Sequence, residues 1–186
     1  TMYCEDASTT VNVKGLTEEL CGVRRPVHFG GVCLVISKLF NIVTPDRAYF
    51  GEKDAQQLAV VKRMVRDLNF DVKIIGCPIV READGLARSS RNVYLSEEER
   101  KAAVVLSRSL DGAEKALNSG ERNASRIKEI ISQKLNSELL ARIDYVEVAD
   151  SVNLKPVSGD IDGSVLVAIA VYIGKVRLID NFTFRI

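Results

Sequence analysis

One stretch of the sequence, residues 50–57, combines a glycine, a lysine and two side-chain amides in the order Phe-Gly-Glu-Lys-Asp-Ala-Gln-Gln. It falls where a short apolar run ends and a helical pattern begins. Ligands bind at that edge of an open α/β sheet, because glycine lets them approach the backbone and a helix N-terminus attracts anions. Lys53 would supply a positive charge for phosphate, and Gln57 would direct an amide to the same crevice. A capped helix start with solvated charges is the alternative interpretation.

A second polar stretch, residues 80–92, follows the next predicted strand and would open onto the same edge of the sheet. Its donors suited to phosphate are two guanidinium groups and two hydroxyls, namely Arg88, Ser89, Ser90 and Arg91. A polar interdomain loop explains this stretch equally well when it is taken alone. Two such stretches at consecutive strand ends favour nucleotide binding.

Other kinds of chemistry have weaker candidates. His28 is the sole histidine and is a possible base, but a capping or packing role fits its place near a helix start better. Ser89 is not an evident nucleophile, because His28 would have to serve as its base. Glu82 and Asp84 do not make a convincing carboxylate pair, since both could equally be salt-bridged.

The two polar stretches are positioned by a predicted strand–helix–strand unit over residues 47–92. The first strand ends at Gly51, Asp54 caps the helix, and a second strand covers residues 71–78. This order implies parallel strands joined by a right-handed crossover. The apolar positions at helical spacing are Leu58, Val61, Met64, Val65 and Leu68.

A further helix is predicted over residues 28–43 and would pack on the same sheet. Its apolar face is predicted to consist of Val32, Val35, Ile36, Leu39 and Phe40. Cys33 and Cys77 lie in apolar runs, where a free thiol behaves as a small hydrophobic group.

The composition changes after Asn92. Ser96 and the three glutamates after it predict the start of a helix that runs to about Asn118, and a second helix follows over residues 124–140. The pattern then becomes that of three antiparallel strands, over residues 143–149, 165–172 and 176–184, with a tight hairpin at Gly174-Lys175. We therefore predict two domains, an α/β domain over residues 1–92 and a small α+β domain over residues 93–186.

Composition excludes several classes of protein. The chain of 186 residues is 46% hydrophobic and 27% charged, which is not typical of disorder. Its 26 basic residues balance 25 acidic ones, so the chain has no net positive electrostatic field that would attract nucleic acid. No apolar run is long enough to span a membrane. The four cysteines form no CxxC pair, which argues against a zinc site and a disulfide framework. We expect a reduced, cytoplasmic protein with no secretory signal, no metal site and no nucleic-acid or membrane partner.

Three motifs in this order resemble those of the pantoate–β-alanine ligases. They read RPVHFGGV at residues 25–32, FGEKDAQQ at 50–57 and READGLARSSRN at 81–92, and the resemblance covers essentially the whole chain. It implies that residues 1–92 are the C-terminal part of a Rossmann-like nucleotide-binding domain of the class I synthetase and nucleotidyltransferase type. It also implies a homodimer that condenses pantoate with β-alanine through a pantoyl adenylate, using ATP with Mg²⁺ and releasing AMP and pyrophosphate.

The resemblance also assigns residues to the substrates. It assigns to ATP the residues Gly51, Glu52, Lys53, Asp54, Val80, Arg88, Ser89, Ser90 and Arg91. Within this set, the groups that would stabilise the transition state are Lys53, Ser89, Ser90 and Arg91. Val80 would contact adenine through its backbone, residues 88–91 correspond to a mobile serine-rich loop, and Gln57 would bind pantoate.

The chain also departs from the family pattern. Family members begin with a segment that carries a His-x-Gly-His signature, and this sequence has no counterpart of it. Cys4 and Arg88 stand where proline and methionine or leucine are usual. We therefore expect a fragment that is inactive, or nearly so, by itself. The alternatives are a nucleotidyltransferase of the same superfamily, which Gln57 argues against, and a non-catalytic fragment that binds only nucleotide or a partner subunit.

Overall fold

The computed structural model describes residues 2–186 and has the predicted α/β class. Two compact units divide the chain, one extending to Pro78 and the other spanning Ile79–Ile186. This division falls before the boundary predicted at Asn92, because the intervening residues pack within the second unit. Leu86, for example, is 2% exposed and belongs to the core of that unit.

The first unit contains the predicted strand–helix–strand arrangement. Its elements in chain order are α1 (Cys21–Arg24), α2 (His28–Val43), β1 (Arg47–Gly51), a 3₁₀ turn (Glu52–Asp54), α3 (Ala55–Asp67) and β2 (Lys73–Cys77). Strands β1 and β2 pair in parallel, with Arg47 opposite Lys73 and Gly51 opposite Cys77. The parallel pairing of the sequence-based prediction is confirmed.

Helix α2 begins and ends at the predicted residues, but its buried face is rotated from the predicted one. Its buried residues are Phe29, Cys33, Ile36, Ser37 and Phe40. Leu39, predicted to be buried, is 44% exposed, because the buried stripe that starts at Phe29 passes through Ser37 instead. The Ser37 hydroxyl donates to the Met64 sulfur at 3.3 Å, so α2 packs on α3. Burial raises the pKa of the Cys33 thiol, as expected of a cysteine that acts as a small hydrophobic group.

Helix α3 starts at the predicted place, but not by the predicted means. Asp54 occupies the N-cap position, yet its side chain accepts no hydrogen bond from the helix. Its carboxylate lies 3.8 Å from the Lys53 ammonium instead, within the 3₁₀ turn that leads into the helix. Asp54 therefore occupies the predicted N-cap position but does not cap the helix through its side chain. Leu68, predicted on the buried face, is 51% exposed because the helix ends at Asp67.

The second unit contains helices packed on an antiparallel sheet. Its elements in chain order are a 3₁₀ turn (Ser90–Tyr94), α4 (Glu97–Ala102), α5 (Val105–Asn118), α6 (Ala124–Asn136), β3 (Ala141–Asp150), β4 (Val165–Ile173) and β5 (Val176–Phe184). The sheet order is β3-β4-β5 with both pairs antiparallel, as predicted. The single helix predicted up to Asn118 is wrong, since a turn at Ala103 and Val104 divides it. At that turn the Leu106 amide donates to the Ala103 carbonyl, three residues back.

The core of the second unit lies between one face of this sheet and helices α5 and α6. Alternate residues of β4 supply the sheet side of the core, namely Val165, Val167, Ile169, Val171 and Ile173. The helices supply mainly Leu106, Leu110, Leu117, Ile127, Ile131 and Leu135. Each such side chain, when fully buried, contributes roughly 1.5–3 kcal/mol to stability.

The predicted hairpin at Gly174-Lys175 joins β4 to β5 and also contacts α4. Gly174 has a φ of 55°, and a Cβ placed on it would collide with the Glu99 carboxylate. That carboxylate accepts from the Ser96 amide at 2.8 Å, while the Ser96 hydroxyl accepts from the Glu99 amide at 3.2 Å. Ser96 therefore caps α4, as predicted, within a reciprocal capping box.

We expect Gly174→Ala to lower the free energy of unfolding by about 2 kcal/mol, because it adds backbone strain and displaces the Glu99 carboxylate from its capping position. Urea unfolding followed by circular dichroism measures this loss. Gly159→Ala is the matched control, since Gly159 has a φ of 82° with nothing within 4 Å of the added carbon. Equal losses in the two variants would contradict the role of the Glu99 contact.

Candidate functional site

The first candidate group lies at the carboxyl end of β1. The strand ends at Gly51 and the turn Glu52–Asp54 leads directly into α3. Gly51, Glu52 and Asp54 are exposed, whereas the Lys53 side chain is only 14% exposed. The Glu52 side chain lies beside Gly76 of β2. The structure thus places these four residues at the strand end where the sequence predicts them.

The two glutamines that follow have different environments. Gln57 is half-buried on α3, and its side-chain amide makes no hydrogen bond to any of residues 2–186. Gln56 is 7% exposed, and its amide nitrogen donates to the carbonyls of Leu16 at 2.8 Å and Glu19 at 2.6 Å. Its amide oxygen accepts from the Cys21 backbone N–H at 3.0 Å. Gln56 therefore holds the preceding loop, which leaves Gln57 as the glutamine able to meet a ligand.

Sequence reasoning missed the role of Gln56, although one signal was present. Gln56 lies four residues before Val60 and eight before Met64, both of which are buried. Residues at this spacing share one face of a helix, so the pattern already placed Gln56 on the buried side.

The second candidate group follows β2 and belongs to the second unit. Val80 is 61% exposed, and its carbonyl accepts from the Arg88 amide at 2.9 Å. The Ser89 hydroxyl accepts from the Arg91 amide at 3.2 Å and so caps the turn Ser90–Tyr94. Residues 88–91 therefore form a loop with its backbone folded back on itself, in which Ser89 is half-buried and the other three residues are exposed.

Ion pairs involve several charged residues of this loop and of the segment before it. Arg88 lies 3.2 Å from Glu82, and Arg100 lies 2.5 Å from Asp84. The hydrogen bond from Arg100 lowers the pKa of the Asp84 carboxyl, and the same bond raises the pKa of Arg100. The salt-bridged alternative for Glu82 and Asp84 is thus the observed one. Across residues 2–186, the Arg91 guanidinium has no acidic partner within 4.0 Å.

His28 lies at the start of α2, half-buried, with its ring 5.0 Å from the Phe29 ring. This packing contact fits the structural role that the sequence favoured over a catalytic one. No group of three or more His, Cys, Asp or Glu side chains able to hold a metal ion occurs within residues 2–186. Over the same residues, every helix is too short or too polar to cross a membrane.

Comparison with known proteins gives a consistent match. The family model described as pantoate-beta-alanine ligase matches residues 1–183. The pantothenate synthetases of Clostridioides difficile (strain 630) and Enterococcus faecalis are each 66% identical to the chain over 185 residues. Each alignment covers 100% of this chain and 65% of the relative, so the chain spans about 65% of their length.

Solved structures agree with these matches. The crystal structure of pantothenate synthetase from Thermus thermophilus has a TM-score of 0.92 at 45% identity, covering 97% of this chain and 65% of that one. Pantoate-beta-alanine ligase from Francisella tularensis, complexed with beta-gamma ATP and beta-alanine, has a TM-score of 0.67 at 30% identity. It covers 94% of this chain and 58% of that one. The resemblance seen in the three motifs is confirmed, and the chain belongs to the pantoate–β-alanine ligase family.

Proposed function

We propose that the chain takes part in the ATP-dependent condensation of pantoate with β-alanine to pantothenate. The observation that carries this proposal is the family match over residues 1–183, together with 66% identity to two pantothenate synthetases. The Francisella tularensis relative was solved with an ATP species and β-alanine bound, which supports the same substrates here. Membership of the ligase family favours this reaction over that of a nucleotidyltransferase.

The proposed reaction has two steps. A pantoate carboxylate oxygen attacks the α-phosphorus of ATP, forming pantoyl adenylate and releasing pyrophosphate. The amine of β-alanine then attacks the acyl carbon, forming the amide and releasing AMP. Such catalysis depends mainly on positioning the substrates and stabilising charge on the phosphate oxygens, which matches the cationic and hydroxyl groups of this chain.

The resemblance of the motifs supports the assignment of two groups of residues to ATP. In the first unit, Gly51, Glu52 and Asp54 would surround the nucleotide beside the Lys53 ammonium, which would contact phosphate at the N-terminus of α3. In the second unit, the Val80 carbonyl already accepts from Arg88, so the Val80 N–H is the group we assign to adenine.

The serine-rich loop would bind the phosphates. Arg88, Ser89, Ser90 and Arg91 present guanidinium and hydroxyl donors there. Within residues 2–186, Arg88 forms an ion pair with Glu82, whereas Arg91 is exposed and has no acidic partner. We therefore assign Arg91, with Lys53 and the two serines, to the charge that develops in the transition state.

Gln57 would bind pantoate, because its amide makes no hydrogen bond within residues 2–186 while its neighbour Gln56 is fully engaged. Mg²⁺ would reach the protein on the ATP phosphates and is part of the nucleotide substrate. The homodimer and the cytoplasmic location stay predictions from the sequence.

We expect this chain by itself to release little or no pyrophosphate from ATP, pantoate and β-alanine. Its only histidine is His28, so it has no counterpart of the histidine pair that the family resemblance assigns to the leaving group. A pyrophosphate-release assay, with and without a separately supplied N-terminal segment carrying that pair, tests the proposal. Activity only with the segment supports the ligase function.

Two results would contradict these statements. Full activity of the chain alone would show that the missing histidines are not needed. No activity in either case, while an intact relative turns over in parallel, would favour a fragment that binds nucleotide without turnover, a possibility that titration with MgATP would then test.

A further inference from the structure

A buried carboxylate on β5 has no role in the proposed chemistry described above. Asp180 is 1% exposed and lies opposite Ile169 of β4, on the sheet face that forms the core of the second unit. A charge in such a place is strongly unfavourable unless it is paired and hydrogen-bonded. The partner of Asp180 therefore decides what this residue does.

That partner is Arg81, ninety-nine positions earlier in the chain. Its two terminal nitrogens donate to the two Asp180 oxygens at 2.7 and 3.1 Å, a bidentate pair that fixes the plane of the guanidinium. One of these nitrogens also donates to the Gly85 carbonyl at 3.1 Å. The hydrogen bond with Asp180 raises the pKa of Arg81. A single guanidinium thus ties the segment 81–85 to the sheet.

The same segment is fixed at two further points. Gly85 has a φ of 95°, and a Cβ there would lie 3.1 Å from the Ser107 hydroxyl of α5. The adjoining Leu86 is buried in the core. Residues 81–87 therefore form a platform that contacts both the sheet and α5.

The proposed phosphate-binding loop is bonded at its two ends to Ala87 of the platform and to Val80, the residue just before the platform. At one end the Arg88 amide donates to the Val80 carbonyl at 2.9 Å. At the other the Asn92 side chain donates to the Ala87 carbonyl at 3.2 Å. Between these two bonds the Ser89, Ser90 and Arg91 side chains project from a short backbone loop whose conformation depends on where the platform is held.

We propose that Arg81 and Asp180 are positioning residues, which hold residues 88–91 in the conformation that receives phosphate. This inference rests on the proposed function, since it takes phosphate binding by residues 88–91 from there. Neither residue needs to touch the nucleotide, because both act through the platform.

The test compares Asp180→Asn with Asp144→Asn by amide hydrogen exchange and by titration with MgATP. Asp144 is a matched control because its carboxylate also pairs with an arginine of β5, Arg177, at 2.7 and 3.0 Å. We expect Asp180→Asn to accelerate exchange at the Arg88, Arg91 and Asn92 amides about tenfold more than Asp144→Asn does, and to weaken MgATP binding by about tenfold. Global unfolding of each variant is measured in urea, so that loop opening is separated from loss of stability.

Arg81→Lys keeps a cation beside Asp180 if Asp180→Asn fails to fold. Lysine cannot form the bidentate pair with Asp180. We therefore expect Arg81→Lys to accelerate amide exchange at residues 88–92 as Asp180→Asn does, with a smaller loss of global stability. Unchanged exchange at residues 88–92 in the variants that fold would overturn the proposal. Faster exchange in a chain whose unmodified form does not bind MgATP would leave the positioning intact and refute the nucleotide role of the loop.

Discussion

Replacement of Gln56 with alanine is expected to lower the free energy of unfolding by about 3 kcal/mol, roughly 1 kcal/mol for each of its three hydrogen bonds. The substitution leaves the Leu16 and Glu19 carbonyls and the Cys21 amide without their partner. Leu20, between two of these groups, has a φ of 46° and a ψ of −118°, a sparsely populated backbone conformation that costs a leucine roughly 1–3 kcal/mol. The side chain of Gln56 therefore holds a strained backbone in place.

Gln57→Ala is the matched control, because it removes the same amide from the next residue of the same helix. We expect its effect on stability to stay within about 0.5 kcal/mol, and its effect to fall on the KM for pantoate when the chain is assembled with an N-terminal segment. Urea unfolding and hydrogen exchange at the Cys21 amide measure the effect of Gln56→Ala on stability. The kinetic assay measures the effect of Gln57→Ala on the KM for pantoate. Equal losses of stability in the two variants would contradict the division of roles between the glutamines.

The sequence predicts those parts of the fold that local patterns determine. The bounds of α2, the strand that ends at Gly51 and the hairpin at Gly174-Lys175 follow from apolar spacing and from glycine. Ser96 caps α4 as predicted because the cap lies within one helical turn of its partner, Glu99. In each of these cases the residues that decide the structure are close together in the chain.

Interactions between distant residues are not predictable in this way. Gln56 bonds to a carbonyl forty positions away, and Arg81 pairs with Asp180 across ninety-nine. The division of the helix at Ala103 and Val104 likewise has no glycine or proline to signal it. No pattern in a single sequence relates residues so far apart, so the sequence does not identify the long-range partners of Gln56 and Asp180.

For the candidate site, position and role come from different sources. The placement of Gly51 and Lys53 at a strand end is predictable from a short apolar run that ends at Gly51 and is followed by apolar residues at helical spacing. Their assignment to ATP, and that of Gln57 to pantoate, comes from the resemblance of the motifs. The charges illustrate the difference, because Arg88 and Arg91 are the same residue type in the same loop, yet among residues 2–186 an acidic partner is found for Arg88 alone of the two.

The other large expected effect concerns Lys53. We expect Lys53→Met to weaken MgATP binding by about 10- to 100-fold, since a hydrogen bond from a charged donor to phosphate contributes roughly 1.5–3 kcal/mol. Methionine preserves the unbranched stem of a side chain that is only 14% exposed, so packing in the turn should change little. Isothermal titration with MgATP measures the affinity, and circular dichroism verifies the fold.

Lys62→Met provides the control for the loss of one positive charge. Lys62 is an exposed residue of α3, so its removal lowers the net charge by the same amount without touching the start of the helix. Long-range attraction between an exposed charge and the nucleotide is largely screened at physiological salt, and we expect an affinity within about twofold of the unmodified chain. Equal weakening by the two substitutions would show that ATP responds to net charge alone, and Lys53 would then have no specific contact with phosphate.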